Sequence, residues 1–168
     1  MATMRSLRTT LRTLRPPEID DFGLAASLSA LVMDHQQRSA GKLRISFEVE
    51  DDMSDLPATA AAHVYRIVQE GLTNIGKHAN AAQARVFMGF RREPGEQATP
   101  RRRWLELTIE DDGRGAANRR EEGEGFGLIG MRERVMALGG QLNISDLGDR
   151  GFKLHALIPF ESPAGPLP

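Results

Sequence analysis

The chain has no cysteine among its 168 residues. That excludes disulfides, thiolate catalysis and cysteine-ligated zinc, and it fits a reducing compartment. Histidine is scarce: His35, His63, His78 and His155 stand apart with no paired metal-ligand spacing, which argues against a structural zinc site. No apolar run is long enough to span a bilayer, and the basic N-terminal stretch lacks the apolar core of a signal peptide. An excess of charge is missing too. With a formal net charge of -1 the chain has no bulk attraction for nucleic acid, and Arg101, Arg102 and Arg103 read as a solvated face or a loop. At this length one domain with a single substantial core is expected.

What is present is a clear order of periodic segments. Residues 5–14 (RSLRTTLRTL) carry Leu7, Leu11 and Leu14 at helical spacing and stop at Pro16-Pro17. So short an amphipathic piece is marginal alone and reads as the cut end of a longer helix, so a fragment is expected. Asp20 or Asp21 can cap a second helix over roughly 22–39, with Leu24, Leu28, Leu31 and Val32 on one side and Gly41 as its stop. Residues 43–49 (LRISFEV) alternate as a half-buried strand does. Pro57 opens a long helix to about Ala79, with Val64, Ile67, Val68, Leu72, Ile75 and Ala79 as its apolar stripe. Strands are expected over 84–91 and 103–110, joined by a polar turn. Residues 111–125 (DDGRGAANRREEGEG) hold no large apolar side chain and read as a mobile, functional loop. A helix over 127–138, a stop at Gly139-Gly140 and strands at 141–146 and 151–159 complete the order, and the tail SPAGPLP is expected to be disordered. Trp104 is expected to pack at the core or its edge, and Met131 and Met136 under their helix. Consecutive strands with no helix between them argue against a doubly wound parallel sheet and favour a mixed sheet with helices on one face, an α/β sandwich.

Gly125, Gly127 and Gly130 spell G-x-G-x-x-G, best known from dinucleotide-binding folds. That reading requires a buried strand directly before the glycines and an acidic residue about twenty positions after them. A charged loop precedes them instead, and Asp146 comes too early. Small residues at a helix start still expose main-chain N–H groups at the positive end of a helix dipole, so phosphate binding survives while the dinucleotide fold does not.

Three segments carry polar groups that make sense together. On the long helix, Glu70, Asn74 and His78 fall four residues apart and form one polar row, with Lys77 beside it. A carboxylate and an amide one turn apart suit a hydrated divalent cation and an activated hydroxyl or water; a solvated helix edge is the plainer alternative. At the end of a strand, Asp111 is followed by Gly113 and Gly115. A carboxylate there could accept from a base amino group, or the segment is an acidic turn. The third segment is Gly123 to Gly130, a lid over a nucleotide or a glycine-rich linker.

Taken together and in this order, the segments resemble the ATP-binding domain of sensor histidine kinases, of the gyrase, Hsp90, histidine kinase and MutL superfamily. Glu70 and Asn74 within IVQEGLTNIGKHA resemble the N box. Asp111-x-Gly113-x-Gly115 resembles the G1 box, and Gly125-Phe126-Gly127-Leu128-Ile129-Gly130 the G2 box. The likeness is closest to the nitrate/nitrite-sensor-like subfamily, through LRPPEIDDFGLAASL and GLIGMRERVMALGG, and covers roughly residues 7 to 160. It implies a Bergerat-type α/β (α+β) two-layer sandwich: a mixed, mostly antiparallel five-stranded sheet, about three helices on one face and a flexible ATP lid. Residues 1–16 would be the remnant of a dimerisation helix and linker, 17–160 the ATP-binding catalytic domain and 161–168 a disordered tail. Asp111 would accept from the adenine amino group, with Gly113 and Gly115 shaping the pocket. Asn74 would bind Mg²⁺ bridging the phosphates, and Glu70 would act as general base or polarise the attacking group. Lys77 and His78 would lie near phosphate or ribose. Gly125, Phe126, Gly127, Leu128 and Gly130 would form the lid hinge and the phosphate-facing helix start.

The implied activity is transfer of the ATP γ-phosphoryl group to a histidine, which depends mostly on positioning and charge neutralisation. The implied partners are ATP, a dimerisation domain carrying the acceptor histidine, and a response regulator, with a homodimeric parent, no nucleic acid and no membrane contact by this chain. The implied location is cytoplasmic, whether or not the parent is anchored in an inner membrane. The alternative is a nucleotide-binding regulatory module of the same superfamily, degenerate or a serine kinase of the anti-sigma type. Two departures stand out. The acceptor His-Asp pair is absent; His35 follows Asp34 in reversed order on the wrong segment. Where the family often has Gly-Thr, whose hydroxyl helps hold phosphate, this chain has Gly151-Phe152. Arg132 and Arg134 stay outside the expected site.

Overall fold

The computed structural model describes residues 17–92, 102–113, 126–146 and 151–161. The expected helix at 5–14, most of the 111–125 loop and all but the first residue of the expected tail lie outside the described residues. Three α-helices are described, α1 (Pro17–Arg38), α2 (Ala58–Asn74) and α3 (Phe126–Ala137). They accompany five strands: β1 (Arg44–Val49), β2 (Gln83–Arg92), β3 (Arg102–Asp111), β4 (Gln141–Asp146) and β5 (Phe152–Glu161). The strands form one sheet in the order β1-β2-β3-β5-β4. β1 runs parallel to β2, and every other pairing is antiparallel. This is the expected mixed, mostly antiparallel two-layer sandwich. The parallel pair arises because the chain crosses from β1 to β2 through α2, whereas the remaining neighbours pair in the antiparallel sense.

Alternation in the strands decides which face meets the helices. In β5, Phe152, Leu154, Ala156, Ile158 and Phe160 are buried while the residues between them are half-exposed. They pack with Val86 and Met88 of β2 and Leu105, Leu107 and Ile109 of β3 against the apolar stripe of α2. Val64, Ile67, Val68 and Leu72 of that stripe are fully buried. Each side chain of this size stabilises the fold by roughly 1.5–3 kcal/mol relative to exposure. Leu24, Leu28, Leu31 and Val32 of α1 join the same core, as their spacing predicts. α1 begins earlier than the spacing suggests, because two helical pieces meet at Gly23, which has φ 78°. Ser27 braces the break: its hydroxyl donates to the Gly23 carbonyl at 2.7 Å.

The opposite sheet face is covered by charged side chains. Arg85 pairs with Glu48 at 2.7 Å and Glu110 at 3.8 Å, and Lys153 reaches Glu110 at 3.3 Å, so one ladder crosses β1, β2, β3 and β5. A second joins Arg91, Glu106 and His155 across β2, β3 and β5. Between them Phe87 is buried under the guanidinium groups of Arg85 and Arg91, 5.6 and 6.0 Å from its ring centre. Arg103 is not a loop or solvated-face residue. It stands on β3, pairs with Asp55 at 3.3 Å and Asp51 at 3.9 Å, and lies 4.1 Å over the Phe90 ring, closing one end of the core. Met136 also departs from expectation, being 65% exposed on α3 while Met131 is buried.

Burial draws the Glu106 carboxyl upward, but hydrogen bonds from His155 and Arg91 outweigh it and hold the group below the ordinary glutamate value. A depressed folded value means that this stability is complete above the unfolded value and is lost as pH falls through the folded one. Urea unfolding of the wild type and Glu106→Gln at neutral pH and below pH 4.5 is therefore expected to show the wild type's advantage shrinking on acidification. A difference independent of pH would count against this account.

Candidate functional site

The site is built around the end of β3. Asp111 is 5% exposed, and its Oδ1 accepts from the Gly113 N–H at 2.9 Å. Asp112 turns the other way. Its Oδ1 accepts from the N–H groups of Ala82 and Gln83 at 2.9 and 2.8 Å, and its own N–H donates to the Gln83 carbonyl at 3.1 Å. The two carboxylates thus divide the work: Asp112 ties the turn to the start of β2, leaving Asp111 aimed into the interior. Sequence reasoning missed Asp112. The only signal was an acceptor between an acid and a glycine, which reads as an ordinary turn.

Main chain meets main chain on both sides of Asp111. A Cβ on Gly113 would lie 2.2 Å from the Ala79 carbonyl oxygen. A Cβ on Gly151 would lie 1.8 Å from the carbonyl oxygen of Asp111 itself, and Gly151 has φ 100°, where side-chain-bearing residues are strained. Gly151 brings the first residue of β5, Phe152, directly opposite Asp111 in the sheet register. Phe152 therefore stands beside the carboxylate.

Next to it lies a small cleft open to solvent, lined by Gly71, Asn74, Ile75, Ile109, Met131, Phe152 and Leu154. Five elements contribute, the π-turn after α2 included, and Asn74 is the one polar side chain among them. Gly71 lets α2 settle on β3: a Cβ there would lie 2.8 Å from Ile109 Cδ1. After Asn74 the helix widens into a π-turn, Ile75–Ala79, and Asn80 ends it in the left-handed region at φ 49°. Winding through wider bonds takes the chain off the straight row expected for Glu70, Asn74 and His78. Glu70 and Asn74 remain half-buried on α2, whereas Lys77 and His78 are exposed on the π-turn and do not line the cleft. The same turn delivers Ala79 against Gly113.

The start of α3 completes the arrangement. A Cβ on Gly127 would lie 2.1 Å from Glu70 Oε1, so the first turn of α3 abuts that carboxylate. One turn further on, Met131 lines the cleft. The helices run antiparallel here, since the far end of α3 brings Arg134 near His63. Burial lowers the His63 pKa, and the Arg134 charge lowers it further. Main-chain N–H groups at the positive end of α3 thus face the Glu70 side of the cleft. Leu128 packs against the core. Phe126 is the first residue of α3, and Gly115 and Gly125 lie outside the described residues. Gly130 is not wedged against main chain; the nearest atom to a Cβ there is Arg134 Nη1 at 2.8 Å. Among the described residues no group of three or more acidic or histidine side chains could hold a metal ion.

A family model described as histidine kinase-, DNA gyrase B- and HSP90-like ATPase matches residues 59–162. The signal transduction histidine-protein kinase/phosphatase UhpB of Salmonella typhimurium is 38% identical over 140 residues, 83% of this chain and 26% of that protein. Sensor protein VraS of Staphylococcus epidermidis is 28% identical over 153 residues, 91% of this chain and 40% of that one. The chain thus spans less than half the length of these curated relatives. Among solved structures, the histidine kinase domain of the blue-light activated histidine kinase EL346 from Erythrobacter litoralis superposes with a TM-score of 0.61. Its identity is 27%, over 81% of this chain and 60% of that domain.

The close approaches set apart two glycines of the site. Gly113→Ala must push main chain from main chain and is expected to cost about 1–3 kcal/mol. Gly130→Ala meets only the end of a flexible side chain inside a helix and is expected to be neutral or to stabilise by up to about 1 kcal/mol. Thermal or urea unfolding of both variants checks the contrast, and equal costs would contradict it.

Proposed function

The chain belongs to the histidine kinase-, DNA gyrase B- and HSP90-like ATPase family, and from that premise we propose that it is the ATP-binding catalytic domain of a two-component sensor histidine kinase. The nitrate/nitrite-sensor-like subfamily is part of the proposal. The observation that carries it is the buried carboxylate of Asp111, fixed by its own turn and paired in the sheet with Phe152, which lines a cleft whose one polar side chain is Asn74. Such a cleft suits a flat aromatic base, and such a carboxylate suits the one amino group on the base edge.

In this reading the base enters between Ile75, Ile109, Met131, Phe152 and Leu154, and Asp111 accepts from its amino group. Gly113 and Gly115 shape the pocket. The phosphates extend toward Asn74 and the start of α3, where Gly125, Phe126, Gly127, Leu128 and Gly130 supply the lid hinge and a helix N-terminus suited to anions. Lys77 and His78, exposed on the π-turn, would lie near ribose or phosphate oxygens. The donor set fits Mg²⁺, which keeps several waters and is held by substrate phosphates with one or two protein oxygens; here Asn74 would hold it. When bound, the ion would neutralise charge on the phosphates. Glu70, one helical turn from Asn74, orients or accepts a proton from the attacking imidazole of an acceptor histidine on a dimerisation domain. A response regulator then receives the phosphoryl group. We place the domain in the cytoplasm and its parent in a homodimer. Phe152 in place of a hydroxyl favours one second reading, a module that binds nucleotide without transferring phosphate.

Titration calorimetry with Mg²⁺ and a non-hydrolysable ATP analogue is expected to give saturable binding that Asp111→Asn weakens by at least about tenfold, the loss of a hydrogen bond to a charged group. Absence of binding, or indifference to the substitution, would refute the reading. Radiolabel from ATP is expected to pass, in acid-labile form, to a histidine-bearing acceptor helix added in trans. Binding without transfer would select the second reading.

A further inference from the structure

The seam between α2 and α3 carries charge at both ends. His63 and Glu70 stand seven residues apart on α2, and Arg134 and Gly127 stand seven apart on α3. Because the helices run antiparallel, the two intervals match. Glu70 Oε1 lies 2.1 Å from where a Gly127 Cβ would stand. At the other end Arg134 acts on His63, whose pKa is lowered first by burial and then by the Arg134 charge. The Arg134 guanidinium does not stay at that end. Its Nη1 lies 2.8 Å from where a Gly130 Cβ would stand, so the half-buried side chain folds back along the seam toward the start of α3. Residues four apart share a helix face, and the bare Gly130 leaves room for the guanidinium to lie against the main chain. From Gly130 to Gly127 the helix rises about 4.5 Å, so the guanidinium lies about one turn from the Glu70 carboxylate. A basic residue in the last turn of a helix ordinarily complements the negative end of the dipole. Arg134 stands in that last turn, but its charge is carried toward the positive end.

From this placement we propose that Arg134 is a further phosphate-binding residue, the one that meets the terminal γ-phosphoryl group of ATP. The inference rests on the proposed nucleotide site. With Glu70 at the attacking imidazole, the γ-phosphorus stands only a ring's width beyond that carboxylate, since attack needs the reacting atoms about 3–3.5 Å apart. The part of the seam next to Glu70 is the part toward which the Arg134 guanidinium lies. A guanidinium presents its N–H donors in a planar fork that matches phosphate oxygens two at a time. ADP ends one phosphate short and does not extend to it. Arg134 thus separates ATP from ADP, and it neutralises charge on the group to be transferred, on which phosphoryl transfer depends. Gly130 gains a role as well: its missing side chain is the seat of the guanidinium.

The experiment compares dissociation constants for ADP and for the β,γ-imido analogue of ATP, each with Mg²⁺. The proteins are the wild type, Arg134→Gln, Arg134→Lys, Arg132→Gln and Asp111→Asn, with circular dichroism confirming that each is folded. Arg134→Gln is expected to weaken the analogue by at least about tenfold, the loss of a charge-assisted hydrogen bond, and to leave ADP unchanged. Arg134→Lys keeps a charge without the fork and is expected to recover part of that loss. Arg132→Gln removes an exposed charge from the same helix and is expected to change neither constant, which separates a γ-phosphate contact from general charge. Gly130→Ala, whose methyl group displaces the guanidinium, repeats the comparison should Arg134→Gln fail to fold. Equal weakening of both ligands by Arg134→Gln, no weakening of either, or the same selective loss from Arg132→Gln overturns the inference while leaving the nucleotide site standing. A wild type that binds neither ligand, or binds both regardless of Asp111→Asn, overturns the site and the inference together.

Discussion

At the end of β3 three stretches of main chain touch with no room for a side chain between them. Gly113 lies against the carbonyl of Ala79, and Gly151 against the carbonyl of Asp111. Asp112 ties the turn to the N–H groups of Ala82 and Gln83. These contacts fix Asp111, and the rest of the site is measured from it. The end of α2, the start of β2 and the start of β5 all converge on this turn. A carboxylate held inside a protein is costly unless it is hydrogen-bonded, and here its own turn supplies the Gly113 N–H.

The layered architecture explains why the cleft lies where it does. One face of the sheet is sealed by helices, the other by two ladders of charge that cover Phe87. Where α2 gives way to the π-turn, beside α3, the apolar side chains of Ile75, Ile109, Met131, Phe152 and Leu154 line a space. Asn74 is the one polar side chain of that lining, and Glu70 lies against Gly127 at the start of α3. Membership of an ATPase family and this division of surfaces point the same way.

Much of this was legible in the sequence because its periods were clean. Alternation in LRISFEV and the stripe from Val64 to Ala79 located β1 and α2, and successive strands without helices between them excluded a doubly wound sheet. Glu70 and Asn74 were legible as candidates from their one-turn spacing in a polar row, and Asp111 from its place at a strand end before Gly113 and Gly115. Less was legible where long-range contact decides. An α-helical row predicted His78 beside Asn74, but the chain must widen at Ile75–Ala79 to meet Gly113, and spacing carries no trace of that. Asp112 looked like turn chemistry because its partners lie 29 and 30 residues away. Phe152 was assigned to the phosphates from its place in a motif; only the strand register sets it beside Asp111. Arg103 hid in a basic run because its acidic partners come from the segment before α2.

The central claim is that one nucleotide occupies the cleft with its base at Asp111 and its phosphates at the start of α3. Amide NMR spectra of the isotopically labelled chain, recorded during titration with Mg²⁺ and ADP, test it most directly. The account predicts saturable shifts in the Gly113 amide, the Asn74 side-chain amide and the first-turn amides of α3, with the sheet face bearing Arg85 and Arg91 unmoved. Shifts confined to that charged face, or shifts at α3 without any at Gly113, would contradict it.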